Sequence, residues 1–159
     1  MIGGKQVKNR EIYDTALCLL AEPEDDLRLE DYAARAPYIL GEFFYENSSL
    51  DGKYREFTGQ SARQTALSVP AELDSDFPLS ERFVSAAANY LAAMLVCDSD
   101  SELSDKLLGL HSSSLEKILA EISAGGEQTD DSGGTSTPEG DEAVCGESHG
   151  IVNVYGNIT

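Results

Sequence analysis

Beyond Lys117 this sequence has no lysine or arginine, although eight carboxylates follow: Glu121, Glu127, Asp130, Asp131, Glu139, Asp141, Glu142 and Glu147. The first 117 residues hold the other 21 acids and all 11 bases, and the formal net charge is -18. Phosphate binding needs clustered cations, so a nucleic-acid reader of the usual basic kind is excluded. The acidity confers solubility, and it also makes a surface that passing DNA does not stick to. Cysteine is scarce: Cys18, Cys97 and Cys145 form no CxxC pair, and their odd number argues against a disulfide framework and for a reducing cytoplasm. Cys18 and Cys97 sit in apolar helical runs and are expected to be small buried hydrophobes. Long apolar runs are missing too. The stretch from Ala86 to Cys97 is broken by Asn89 and is too short to span a bilayer. Met1-Ile2-Gly3-Gly4 is followed by charge, so no signal peptide is expected.

The residues that carry chemistry are equally thin. Histidine occurs only at His111, expected at a surface or interface, and at His149. Cys145-x-x-x-His149 is half of a metal-ligand spacing with no second pair to close a site. No GxxxxGK[ST] or GxGxxG phosphate loop occurs. Ser112-Ser113-Ser114 lacks the nucleophile-elbow pattern, and the acidic run Glu24-Asp25-Asp26 has nothing that fixes two carboxylates together for a glycosidase pair. The expectation is a protein with no catalytic residues, no metal and no cofactor.

Helical patterning is plain by contrast. A first helix is predicted from Asn9, read as its N-cap, to Glu22, with Ile12, Ala16, Leu19 and Leu20 on one face and Pro23 ending it. A second covers Leu29 to Asn47. Pro37 either kinks it or divides it, and Asn47-Ser48-Ser49 with Asp51-Gly52 stops it. In this helix Arg35 and Glu42 point away from the apolar face into solvent. The third, Leu79 to Cys97, starts at Pro78 and carries Phe83, Ala86, Ala87, Tyr90, Leu91, Met94 and Leu95, as the central helix of a bundle. The fourth begins at the capping-box match Ser99-Asp100-Ser101-Glu102, runs through Leu103, Leu107, Leu110, Leu115, Ile118, Leu119 and Ile122, and ends at Gly125-Gly126. Asp98 remains for a short turn, so the last two helices form an antiparallel hairpin. The core is expected to include Phe83, Tyr90, Leu91, Met94 and Leu107.

Residues 48–76 read as a long irregular connection, within which Thr65, Leu67 and Val69 alternate with small residues as a short edge strand or arm. Such loops are often functional, and these three residues are candidate interface positions. From 125 to 149 the composition turns to Gly, Ser, Thr and carboxylates, a solvated linker. β-Branched and aromatic residues then return at Ile151, Val152, Val154 and Tyr155, which read as a strand arm seeking another subunit or partner. The expected architecture is therefore mainly α: a four-helix bundle over 1–124 with a long central loop, a flexible acidic linker over 125–149, and a C-terminal β-strand arm over 150–159.

Four segments in this order resemble a known family. Asp31-Tyr32-Ala33-Ala34-Arg35-Ala36-Pro37-Tyr38-Ile39 resembles a Y-x-x-R-A-P-x-I run, and Leu73-Asp74-Ser75-Asp76-Phe77-Pro78-Leu79 resembles L-x-x-x-F-P-L. Asn89-Tyr90-Leu91-Ala92-Ala93-Met94-Leu95 is similar to Y-x-L-A-A-x-L, and Ile151 to Gly156 is similar to an I-x-x-V-Y-G tail. These motifs belong to tailed-phage head–tail connector (head-completion adaptor) proteins of prophages of Gram-positive bacteria, and together they span most of residues 8–122 plus the last nine. The resemblance implies a helical adaptor that self-associates as a ring, typically a dodecamer, in the virion neck. It would dock under the portal protein and bridge to a stopper or tail protein, while DNA passes without specific binding and no membrane is involved. Such a protein is synthesised in the bacterial host cytoplasm. The acidic linker is longer than the family pattern leads one to expect. Two other readings stand beside it: a tail-completion or tail-assembly protein, and an acidic regulatory or DNA-mimic protein, which would give the Val154-Tyr155 arm no role.

Overall fold

A computed structural model describes residues 5–21 and 27–127. The chain divides at Gly125 into two units, and the helical body belongs to the first. It is mainly α-helical: α1 (Asn9–Leu20), α2 (Arg28–Thr58), a 3-10 turn (Glu81–Phe83) leading into α3 (Val84–Val96), and α4 (Ser101–Glu127). No strand longer than a single bridge occurs among the described residues. The predicted linker beyond Glu127 and the predicted C-terminal strand arm lie outside the described residues.

α3 is the central element. Ala86, Ala87, Leu91, Ala92, Ala93 and Leu95 are buried around nearly its whole circumference, as expected of a helix apolar on all sides. Its alanines let α1 and α2 approach closely, and α1 contributes Ile12, Tyr13, Ala16 and Leu20 to the shared core. α2 contributes Tyr32, Ala36, Leu40, Phe43 and Phe44. α4 returns antiparallel to α3: Ser104 Oγ donates to the Ala93 carbonyl at 3.0 Å, His111 Nδ1 to the Ala86 carbonyl at 3.1 Å, and Arg82 meets Glu121 at 2.6 Å. Of the expected core, Phe83, Leu91 and Leu107 are buried, while Tyr90 and Met94 are half-buried.

Several expectations are corrected. α2 passes through Pro37 as one helix, and Ala33 and Ala34 on the neighbouring turn are exposed, where solvent satisfies the carbonyl that proline leaves free. It also continues through the apparent stop at 47–52. Asn47 is buried and donates to the Phe43 carbonyl at 2.9 Å, and Asp51, fully buried, pairs with Arg55 one turn on. The helix ends at Gly59 (φ 71), a left-handed cap whose N–H bonds the carbonyl of Glu56. Asn9 is the first helical residue instead of the cap, and its Nδ2 donates to the Glu72 carbonyl at 2.8 Å. Asp100 caps α4, accepting from the Leu103 N–H at 2.9 Å, while Ser99 closes α3 by donating to the Val96 carbonyl at 3.3 Å, so the Ser99–Glu102 box does not form. Ser80 precedes the 3-10 turn, so Pro78 does not begin α3. Gly125 lies inside α4, where the Phe57 ring occupies the space a Cβ would need. Leu19, Leu110 and Leu119 are exposed, as is Cys18, and Cys97 is half-buried.

Candidate functional site

Between α2 and α3, residues 59–80 form an irregular strap, and its course is fixed by a few contacts. Arg63 reaches the buried Asp51 carboxylate at 3.6 Å, and Arg55 donates to the Ser61 carbonyl at 3.1 Å. Further along, the Tyr45 hydroxyl donates to the Leu67 carbonyl at 3.1 Å, and the Ala71 N–H donates to the Pro37 carbonyl at 2.8 Å. From Tyr45 back to Pro37 a helix rises about 12 Å. The strap covers the same path between Leu67 and Ala71, bending at Val69 and Pro70. It therefore runs antiparallel to α2.

Gly41 makes this path possible. A Cβ there would lie 2.7 Å from the Ser68 carbonyl oxygen and 2.9 Å from Val69 Cγ2. A side chain on a helix leans back over the carbonyl one turn earlier, so a bare Gly41 also leaves the Pro37 carbonyl open to Ala71. Leu67 turns inward and packs against the core, whereas Thr65, Ala66, Ser68 and Val69 are exposed. The three central-loop residues expected to share an interface thus divide: Leu67 anchors the strap, and Thr65 and Val69 face outward. Exposed Tyr38 and Tyr45 lie two turns apart on α2.

The strap's far end builds the start of α1. Lys8 and Asp76 form an antiparallel bridge, and Phe77 N–H bonds the Val7 carbonyl at 2.8 Å. The first α1 donors, Asn9 N–H and Arg10 N–H, are satisfied by the carbonyls of Ser75 at 3.0 Å and Leu73 at 2.7 Å, so distant backbone replaces a side-chain cap. The Asn9 side chain is buried, and its Oδ1 has no hydrogen-bond partner. Asn9 lines a cleft of about 310 Å³ whose floor includes Phe44 and Ala71 and whose side is Thr65, Ala66 and Ser68 of the strap.

Both ends of the strap are tied to one buried carboxylate. Asp51 Oδ1 accepts from the Ser80 N–H at 2.8 Å and from Ser80 Oγ at 2.7 Å, while Oδ2 takes Arg55 Nε at 2.8 Å. A buried carboxylate is stable only when paired and hydrogen-bonded, and this one has both. Arg35, expected in solvent, is instead half-buried. It donates to the Met94 carbonyl at 2.9 Å and lies 3.2 Å from Asp31, satisfying the last turn of α3 with a cation at the negative end of the helix dipole. His111 sits against the rings of Tyr90 and Phe43, with centroids 5.1 and 5.8 Å apart.

Electrostatically the body offers little cationic surface. Lys5, Lys8, Arg10, Arg35, Arg55, Arg63, Arg82 and Lys106 all lie within ion-pair distance of the chain's own carboxylates. The Arg82 hydrogen bond holds the Glu121 carboxyl below its ordinary value, and Arg10 does the same for Asp74. Burial, with help from Glu46 and Glu42, pushes the Tyr90 hydroxyl up. Among the described residues no cluster of three or more His, Cys, Asp and Glu side chains is placed to hold a metal ion, and no helix is long and apolar enough to cross a membrane. Ile151, Val152, Val154 and Tyr155 lie outside the described residues.

The strap, its cleft and the Gly41 crossing had a partial signal in the sequence, the alternation at 65–69. The Asp51 cluster had none, because its partners Arg63 and Ser80 are remote and Asp51-Gly52 reads locally as a turn. No protein-family model, no curated protein and no solved structure matches the chain.

Proposed function

We propose that this chain is a structural subunit of a phage head–tail connector ring, an adaptor that docks under the portal and bridges to the stopper or tail. One observation carries the reading: the first and third of the segments that resemble the adaptor motifs meet in space. Arg35 of the first motif holds the carbonyls of Met94 and Leu95 in the third. The second lies close by: Pro37 of the first accepts from Ala71, two residues before the second, and Phe77 of the second packs edge-on to Phe44, five residues beyond the first, with centroids 5.5 Å apart. The charge pattern supports the same reading. At least eight of the eleven cations are spent on internal ion pairs, so a ring of such bodies would line a channel with uncompensated carboxylates and let DNA slide. Partner subunits supply the remaining burial that a body of this size lacks.

The test is co-expression with the portal protein of the neighbouring genes, followed by electron microscopy. A ring on the portal's tail-facing end is the expected result. A monomer that ignores the portal and binds a DNA-binding protein instead would favour the DNA-mimic reading. A monomer that binds only tail components would favour a tail-assembly role.

A further inference from the structure

We infer that the cleft beside Thr65–Ser68 receives the terminal segment Ile151–Tyr155 of a second copy as an added strand. This rests on the ring reading, and names the surface through which neighbouring subunits would join. Three features of the cleft point to an extended peptide as occupant. The backbone N–H groups from Ala62 to Val69 make no hydrogen bond among the described residues, so the strap offers an unpaired edge. The cleft has an apolar floor in Phe44 and Ala71 and a volume of about 310 Å³, room for a few side chains of one face of a strand. Its wall holds Asn9, whose buried Oδ1 has no donor. A buried acceptor left unpaired costs ~1–3 kcal/mol.

The occupant follows from the same sequence. Residues 150–159 carry no charged side chain, unlike the acidic tether before them, and Ile151, Val152, Val154 and Tyr155 have the β-branched and aromatic character of a strand. The 23 residues from Gln128 to Gly150 give a Gly/Ser-rich tether whose root-mean-square span is roughly 26 Å, enough to reach a neighbouring body. Main-chain bonds along the strap would supply the affinity, and the cleft floor would select the side chains.

Two full-length variants test this, Val154→Asp in the segment and Ala66→Pro in the strap, where Ala66 is exposed and its side chain supports no core contact. Wild-type chain should self-associate in sedimentation velocity as concentration rises, with exchange of the Ala66, Leu67, Ser68 and Val69 amides slowing about tenfold in parallel. Each variant alone should stay monomeric with unchanged helicity. A mixture of the two should form dimers and nothing larger, because it holds one intact segment and one intact cleft per pair. Protection of those amides that does not depend on concentration would mean the chain binds its own segment, and it overturns the inference; so does self-association by Ala66→Pro equal to wild type. The ring reading stands or falls separately. Rings on the portal formed by Val154→Asp would sink this inference and leave that reading intact, whereas self-association without any portal binding would do the reverse.

Discussion

Asp51 decides more of this structure than any other single side chain. It is fully buried, it holds Arg55 and Arg63, and it fixes Ser80, where the chain turns into the central helix. Asp51→Ala would strand two half-buried guanidinium groups and the Ser80 N–H. The expected loss is about 3–5 kcal/mol, read as a lower urea midpoint with unchanged slope. Ala21 supplies a second residue-scale prediction of opposite sign. It ends α1 at φ 52, a left-handed conformation in which its Cβ is strained, and its N–H bonds the Cys18 carbonyl. Ala21→Gly removes that strain and should stabilise the body by roughly 1 kcal/mol, seen as a higher thermal midpoint. Neither role could be read beforehand. A lone Asp before Gly carries turn character by local rules, and only the arrival of Arg63 and Ser80 from the strap makes it a helix residue.

At the scale of elements, the apolar periodicity of all four helices was legible, and so was the antiparallel pairing of the last two. The boundaries were less so, because they are set by partners remote in sequence. α2 outruns its polar stretch because Asn47 and Asp51 find buried partners, and α4 outruns its glycines because Phe57 lies on Gly125. Leu110 and Leu119 keep helical spacing yet stay exposed, since α4 buries a narrower stripe through Ser104, Leu107 and Ile118. The packing of the strap on α2 depends on a missing side chain. Gly41→Ala gains helix propensity but drives a methyl group into the Ser68 carbonyl and Val69. The overpacking should win by about 1–2 kcal/mol. The strap should come away first, so proteolysis near Thr65 should accelerate more than global unfolding does; equal acceleration of both would show that the strap is not held there.

For the whole molecule, acidity and pairing combine into a pH response. Glu121 and Asp74 both have their carboxyl groups held below ordinary values, chiefly by hydrogen bonds from Arg82 and Arg10. A depressed folded value means stability that is present above the unfolded carboxylate range and lost as pH falls through the folded one. Urea midpoints should therefore fall as pH drops from neutral through and below the ordinary carboxylate range, and Glu121→Gln should flatten part of that fall while lowering stability at neutral pH. The pairs are largely exposed, so raising salt should shrink the difference. Composition alone made the acidic character legible. It could not show that at least eight of the eleven cations are engaged within the fold, because that depends on distances between α1, the strap and α4.

The start of α1 is completed by chain that lies far downstream: the Asn9 side chain bonds the carbonyl of Glu72, a separation of 63 residues. During synthesis α1 leaves the ribosome well before those carbonyls exist, so its first turn has nothing to bond until the strap has emerged and crossed α2. Nascent chains arrested before residue 76 should therefore show α1 frayed and accessible, and its ordering should coincide with that of the strap instead of preceding it.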